Sequence, residues 1–254
     1  MTDLLLDTTE QVLTITFNRV DKKNSFTADM YAALADAFTQ AQRDDAVRVV
    51  VIQGHETVFS AGNDIADFLK APPVSPDVPV FRFMRAISSF TKPIVAAVCG
   101  PAVGIGSTML FHCDLIYAGD NAAFSMPFVN LGVCPEAASS LLATQRMGYV
   151  RAAEALLLGD PFSAEAALEM GLINRIVPPT EVNALARRQA LRLAAKPQQP
   201  LLIAKRLMKQ AQASLVATHM AEEADIFGRL LTEPAAREAF GAFLEKRKPN
   251  FENL

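Results

Sequence analysis

The chain has 254 residues, of which 51% are hydrophobic and 20% are charged, and its formal net charge is −3. This length suits one large domain with a sizeable core, and the composition excludes an intrinsically disordered chain. The scattered, balanced charge gives no electrostatic basis for nucleic-acid binding.

The first 55 residues are predicted to form a strand, a helix and a second strand. Leu13, Ile15 and Phe17 alternate with polar neighbours, which is typical of a strand. From Thr27 onward, apolar residues at every fourth position predict one face of a helix. Residues 47–52 are β-branched without a helical period, which predicts a buried parallel strand. Together they predict a right-handed βαβ unit.

The rest of the chain changes from α/β to helical. Residues 71–80 contain four prolines and are predicted to be a loop. Further buried strands are predicted at 94–98 and 115–118. From about residue 137 the chain is predicted to be mainly helical, and beyond residue 180 only helices are expected, at 181–195, 198–212, 214–231 and 233–246. The sequence therefore predicts an α/β body over residues 1–180 and a helical region over residues 181–254.

Two glycine-containing turns follow buried strands, at 59–64 and 100–106. Small residues there would let a ligand approach backbone N–H groups closely. Two such N–H groups that converge on one oxygen would form an oxyanion hole. No serine-nucleophile elbow, phosphate-binding loop or metal-binding histidine pair accompanies these turns.

In the order and spacing of several segments, the sequence resembles the crotonase family, the enoyl-CoA hydratase/isomerase superfamily. The segments are 18–26, 59–65, 100–106 with Cys113 and Asp114 after it, and the tail 242–251. The resemblance covers nearly the whole chain. It implies a crotonase (ClpP/crotonase-like) α/β fold of repeated ββα units with an all-helical C-terminal region.

By this resemblance, the chain binds an acyl-CoA thioester, with the thioester oxygen held by the backbone N–H groups of Ala61 and Ile105. Further positions are expected to contact the substrate: Lys22, Ser60, Asp64, Ile65, Gly104, Thr108, Phe128, Lys248 and Phe251. Lys22 is expected near the CoA phosphates, and Lys248 and Phe251 are expected to close the site from the C-terminal helices. Two simpler interpretations stay open: Asp64 caps the helix that follows it, and Lys22 is an ordinary exposed turn residue.

The carboxylates distinguish between the reactions of this family. The two positions that match the hydratase glutamates are Thr108 and Phe128 here, and neither side chain can act as a base near neutral pH. Glu136 follows a proline among apolar and small residues, where it is either a general base or a first-turn helix glutamate. The segment is most similar to peroxisomal-type 3-enoyl-CoA to 2-enoyl-CoA isomerases, which carry one catalytic glutamate at this position.

The sequence therefore predicts a 3-enoyl-CoA to 2-enoyl-CoA isomerase with Glu136 as proton shuttle. Two alternatives remain: a hydratase or another single-acid enzyme of the family, and a non-catalytic acyl-CoA-binding member. The resemblance implies no metal and no cofactor beyond the coenzyme A of the substrate, and assembly as a homotrimer or a dimer of trimers. Three cysteines without framework spacing, no visible leader and no membrane-length apolar run predict a cytoplasmic protein that contacts neither nucleic acid nor membrane.

Overall fold

A six-stranded, mostly parallel sheet lies at the centre of the computed structural model, which describes residues 2–70, 77–252 and 254. Its strand order is β1-β2-β3-β4-β6-β9, and only the β1–β2 pair is antiparallel. A second sheet has the order β5-β7-β8. The strands are β1 (Leu4–Thr9), β2 (Val12–Phe17), β3 (Val49–Gln53), β4 (Ile94–Val98), β5 (Pro101–Val103), β6 (Leu115–Gly119), β7 (Ala123–Ser125), β8 (Phe162–Ser163) and β9 (Arg175–Val177).

Helices connect the strands and form most of the chain after β7. They are α1 (Ala28–Arg43), α2 (Ile65–Lys70), α3 (Pro79–Ser88), α4 (Ile105–Thr108), α5 (Ser139–Met147), α6 (Tyr149–Ala153), α7 (Ala164–Glu169), α8 (Pro179–Ala194), α9 (Gln198–Lys209), α10 (Ala213–Leu230) and α11 (Pro234–Leu244). The predicted βαβ unit is confirmed as β2-α1-β3, with β2 and β3 parallel. The four helices expected after residue 180 are also present.

The two faces of the central sheet pack against different helices. Alternate residues of β3 point to opposite faces, so Val50 and Ile52 join a core with α1 and α3. Val49 and Val51 pack with Leu185 and other apolar residues of α8. Helix α8 therefore packs on the central sheet, although most of it falls in the helical region predicted over residues 181–254.

Two element boundaries differ from the sequence-based expectation. The strand predicted from residue 47 begins at Val49, because the Val47 N–H donates to the Asp44 carbonyl in the turn after α1 (3.0 Å). The predicted loop 71–80 is wrong at its end, where Pro79 begins α3. Proline is tolerated at a first helical position because its missing N–H has no partner there. The remainder of that loop prediction, residues 71–76, lies outside the described residues.

Candidate active site

Two turns from different strands lie side by side at one end of the central sheet. Ser60 and Ala102 form an isolated parallel bridge, and the Val103 N–H donates to the Ser60 carbonyl (2.9 Å). Gly62 has a φ of +84°, and a Cβ there would lie 2.8 Å from the Val103 carbonyl oxygen. Only glycine fits such a backbone conformation and such a close approach. The two glycine turns therefore lie against each other.

The hydrogen bonds of these turns correct one predicted oxyanion donor. The Ala61 N–H donates to the Lys23 carbonyl (2.9 Å), so this N–H group is not available to a ligand oxygen. A Cβ on Gly62 would lie 3.9 Å from the Gly104 nitrogen, so the residues after these two glycines, Asn63 and Ile105, follow neighbouring points of the two turns. Within the described residues, neither the Asn63 N–H nor the Ile105 N–H has a hydrogen-bond acceptor. Ile105 is the first residue of α4, where N–H groups have no partner inside the helix.

Ser60, expected to contact substrate, instead builds the turn. Its hydroxyl donates to the Asn24 carbonyl (2.9 Å) and accepts the Gly62 N–H (3.1 Å). Buried Asn24 also donates to the carbonyls of Val58 and Phe59. These bonds hold the loop after β2 against the turn after β3. Lys22 is exposed on that loop.

Asp64 is also occupied by contacts within the protein. Its carboxylate accepts a hydrogen bond from the Arg19 guanidinium (2.8 Å) and one from the Asp67 N–H in α2 (3.1 Å). Burial opposes ionisation, but the Arg19 contact and the backbone N–H groups outweigh it and lower the pKa of Asp64. The helix-capping interpretation therefore describes Asp64 better than a substrate-binding role. Ile65 begins α2 and packs partly buried against the core.

Glu136 is the acidic side chain of the site. It is only 7% exposed, and its Oε1 atom has no hydrogen-bond partner in the described part of the chain. Burial, and secondarily the charge of Glu223, raise its pKa to about 8. It lines a narrow space, here called the glutamate cleft, whose other lining residues are Phe68, Val80, Phe81, Met84, Ala137, Met220, Ala224 and Phe227. Apart from Glu136, these side chains are all apolar.

A tight backbone turn presents Glu136 to this cleft. Ala137 and Ala138 have φ angles of +59° and +57°. Left-handed backbone costs roughly 1–2 kcal/mol for each non-glycine residue, so other contacts must hold the turn. His112 Nε2 lies 2.8 Å from the Ala137 carbonyl, and Glu223 accepts the Ala138 N–H (2.6 Å). Burial lowers the pKa of His112 to about 4, so the neutral ring donates its Nε2–H to that carbonyl.

The positions that match the hydratase glutamates are buried and carry no carboxylate. Thr108 is fully buried in α4, and its hydroxyl has no partner among the described residues. Phe128 is also buried. Gly104, directly before α4, has a φ of +54°, and a Cβ there would meet no atom within 4 Å. The space beside the free Ile105 N–H is therefore open.

Sequence reasoning missed Tyr31 of α1. Its hydroxyl donates to the side-chain oxygen of Asn63, and burial together with the charge of Glu136 raises its pKa well above the usual value. Tyr31 lines a second space, the tyrosine cleft, with Phe26, Ala28, Asp67, Phe68, Val78, Pro79 and Val80. Phe68 and Val80 line both clefts. The apolar period predicted for α1 does not include Tyr31, so no sequence signal identified it.

The C-terminal residues expected to close the site lie apart from both clefts. Lys248 is exposed, and Phe251 is 42% exposed. Neither lines the glutamate cleft or the tyrosine cleft. Closure of the site by these two residues, which would need another arrangement or a neighbouring subunit, stays a prediction.

The described ranges contain neither a membrane-spanning helix nor a cluster of metal-binding side chains. No helix there is long and apolar enough to cross a membrane. No group of three or more His, Cys, Asp or Glu side chains in those ranges could hold a metal ion.

Comparisons with known proteins agree on one family. A model of the enoyl-CoA hydratase/isomerase family matches residues 7–253. The chain is 34% identical over 260 residues to the 1,2-epoxyphenylacetyl-CoA isomerase of Escherichia coli (strain K12), covering 99% of each. It is 31% identical over 255 residues to enoyl-CoA delta isomerase 2 of Homo sapiens, covering 97% of this chain and 64% of that protein. The crystal structure of an enoyl-CoA hydratase/isomerase from Pseudoalteromonas atlantica T6c matches with a TM-score of 0.94 and 37% identity, covering 98% of this chain and 100% of that one.

Proposed function

Because the chain belongs to the enoyl-CoA hydratase/isomerase family, we propose that it converts 3-enoyl-CoA thioesters to 2-enoyl-CoA thioesters, with Glu136 as the proton carrier. The predicted crotonase fold with a helical C-terminal region is confirmed by the structural match. One observation carries the proposal: the buried carboxyl group of Glu136, which has an unpartnered oxygen, lines a cleft whose other side chains are apolar. A buried carboxyl group whose pKa lies near the working pH is suited to both accepting and returning a proton.

The reaction needs two proton transfers and one charge-stabilising site. The Glu136 carboxylate takes a proton from C2, and the electron pair of that C–H bond enters the thioester as a dienolate. The resulting Glu136 carboxylic acid returns a proton to C4, which places the double bond between C2 and C3 and restores the thioester carbonyl. The N–H groups of Asn63 and Ile105 donate to the enolate oxygen, where such donors stabilise developing charge.

The lining of the glutamate cleft supports a hydrocarbon acyl tail. The side chains around Glu136 are aromatic, aliphatic or thioether groups. A tail that ended in a second carboxylate would lose its hydration there without gaining a partner among these side chains. We therefore expect straight or branched hydrocarbon 3-enoyl groups to be preferred over ω-carboxylated ones.

A hydratase is the alternative activity. Addition of water to a double bond requires the water to be positioned, and the family does this with two glutamates. The corresponding Thr108 and Phe128 provide no carboxylate. Glu136 alone supplies one, which favours isomerisation.

Product analysis with two substrates distinguishes these activities. The purified protein is incubated with 3-hexenoyl-CoA and, separately, with 2-hexenoyl-CoA, and the products are identified by mass and ultraviolet absorbance. We expect a 2-enoyl product of unchanged mass from the first substrate and little water addition to the second. Rapid hydration of 2-hexenoyl-CoA would establish the hydratase instead. Tight CoA binding without turnover of either substrate would leave a binding role.

The raised pKa of Glu136 predicts the pH dependence of the isomerase. The base form is the carboxylate, so kcat/KM should rise about tenfold per pH unit at low pH and level off near pH 8. Initial rates with 3-hexenoyl-CoA between pH 5.5 and 9.5 measure this profile. A plateau already reached at pH 6 would contradict the assignment of Glu136 as the base.

A further inference from the structure

Glu223, on α10, makes more contacts to the Glu136 turn than any other side chain described above. One carboxylate oxygen accepts the Ala138 N–H (2.6 Å), and the other accepts the Ser140 N–H (3.1 Å) and the Ser140 hydroxyl (2.5 Å). Glu223 is itself buried, with 6% of its surface exposed. It thus ties α10 to the two residues that flank Ser139 at the start of α5.

These contacts hold the backbone residues that set the direction of the Glu136 side chain. The Ala138 N–H belongs to the second of the two left-handed residues after Glu136. Without an acceptor for this N–H, the turn would lose a contact that compensates its backbone conformation. The His112 contact holds the carbonyl of Ala137 from the opposite side of the chain. His112 binds the C=O group of the peptide between Ala137 and Ala138, and Glu223 binds its N–H group. The two side chains together therefore hold the turn.

The two buried carboxyl groups have opposite hydrogen-bond environments. Burial raises the pKa of Glu223 as well, although three donors and the N-terminus of α5 face its carboxyl group and favour the ionised form. Glu136 Oε1 has no donor in the described residues. Neighbouring carboxyl groups with such different surroundings separate into a charged and a protonated member. When the pair holds one proton, the hydrogen-bond donors therefore favour the charge on Glu223 and the proton on Glu136.

We propose that Glu223 is a positioning residue for the reaction: its carboxylate holds the Ala137–Ala138 turn, and its negative charge makes the Glu136 carboxylate a stronger base. This inference rests on the proposed function, because it assigns Glu223 a part in proton transfer by Glu136. Burial, followed by the Glu223 charge, raises the pKa of Glu136, in agreement with the geometry.

Other titratable groups near the pair come from several elements. Tyr31 of α1 interacts with Glu136, and His219 on α10 interacts with Glu223. Cys134 donates its thiol to the Glu223 carbonyl (3.5 Å). The pKa of His112 is lowered to about 4 and that of Cys134 raised to about 11, both chiefly by burial, so neither titrates between pH 6 and 9. A His219→Gln variant tests whether the His219 ring contributes to the titration midpoint of Glu136.

The first experiment measures the proton on Glu136 without turnover. Glutamate side chains are labelled with 13C at the carboxyl carbon, and the Glu136 signal is identified as the one lost in Glu136→Gln. In Glu223→Gln the amide cannot carry the negative charge, so the titration midpoint of Glu136 should fall by about one pH unit. Glu222→Gln, which neutralises the exposed neighbour on the same helix, should leave the midpoint unchanged, and so should His219→Gln.

Kinetics and amide exchange test the positioning role. Glu223→Asp keeps the charge but shortens the reach, so kcat should fall about tenfold or more, with KM changed less than threefold. The Ala138 and Ser140 amides should exchange at least about tenfold faster in this variant, because their acceptor withdraws. In Glu223→Asp the titration midpoint should stay raised, a result that a purely structural loss would not give.

The outcomes separate this inference from the proposed function. An unchanged Glu136 midpoint in Glu223→Gln, together with unchanged exchange at Ala138 in Glu223→Asp, would overturn the role of Glu223. Absence of isomerase turnover in the wild-type protein would overturn the proposed function, while the carboxyl titration and amide exchange would still report on the contacts of Glu223. If Glu223→Gln does not fold, the kinetics and exchange of Glu223→Asp decide alone.

Discussion

Glu136→Gln should reduce kcat for 3-hexenoyl-CoA at least about 100-fold, the lower range for loss of a positioned general base. Glutamine has nearly the same shape as glutamate, but its amide cannot accept a proton from C2 at neutral pH. The glutamate cleft keeps its lining, so affinity for the 2-hexenoyl-CoA product should change less than threefold. Steady-state kinetics and isothermal titration calorimetry measure the two quantities.

The pH dependence of the free energy of unfolding provides an internal control for the Glu136→Gln variant. In the wild-type fold the pKa of Glu136 is raised to about 8, against an ordinary value of 4.5. The folded protein therefore binds the proton more tightly than the unfolded chain does, and its stability falls as the pH rises between these values. The Glu136→Gln variant has no titrating carboxyl group at this position, so its stability does not fall in this way as the pH rises. Its free energy of unfolding, relative to wild type, should increase by roughly 1.4 kcal/mol per pH unit between about pH 5 and 8.

The combined result is diagnostic for Glu136. A slow variant with normal product affinity and an advantage in stability at pH 8 would show that the buried carboxyl group serves catalysis at a cost to folding. Retention of more than about a tenth of wild-type kcat would remove Glu136 from the mechanism. Thr108→Ala serves as the kinetic control, because this buried hydroxyl is assigned no proton transfer and its loss should leave turnover within about tenfold.

Ile105→Pro should lower kcat/KM about 100- to 1,000-fold, because proline removes one of the two proposed donors to the enolate oxygen. Ile105 is the first residue of α4, a position where proline fits the backbone and no intrahelical bond is lost. Gly104 before it lies outside the α region, with φ +54° and ψ −120°, so it avoids the clash that proline imposes on a preceding helical residue.

Ile105→Val is the matched control for this substitution. The Ile105 side chain is buried, so proline also removes core contacts, and valine removes a similar volume while keeping the N–H. Valine should cost less than tenfold in kcat/KM. Equal activity of the proline and valine variants would show that the Ile105 N–H does not contact the enolate oxygen. Circular dichroism and thermal unfolding of both variants check that the fold is retained.

The regular elements could be predicted where the local pattern alone decides them. The strand at Ile94–Val98 is a continuous apolar run, and its bounds agree with the prediction. In α1 the apolar period marks the buried face. By contrast, β1 was missed because most of its side chains are exposed, and it pairs only with β2. The short strands β5, β7 and β8 exist through their pairing with one another, which no local pattern encodes.

The features of the candidate site likewise fall into those that the sequence predicts and those that only tertiary contacts decide. The sequence by itself determined the family resemblance, the two glycine turns, the absence of carboxylates at Thr108 and Phe128, and the candidate Glu136. These features depend on residue type and order. The tertiary structure alone decided that the Ala61 N–H donates within the fold and that the N–H groups of Asn63 and Ile105 have no acceptor among the described residues. It also brought Glu223 to Ala138 across 85 residues of chain. Hydrogen-bond partners and desolvation arise from contacts between residues distant in sequence, and these contacts set which N–H groups are free and where the proton of Glu136 resides.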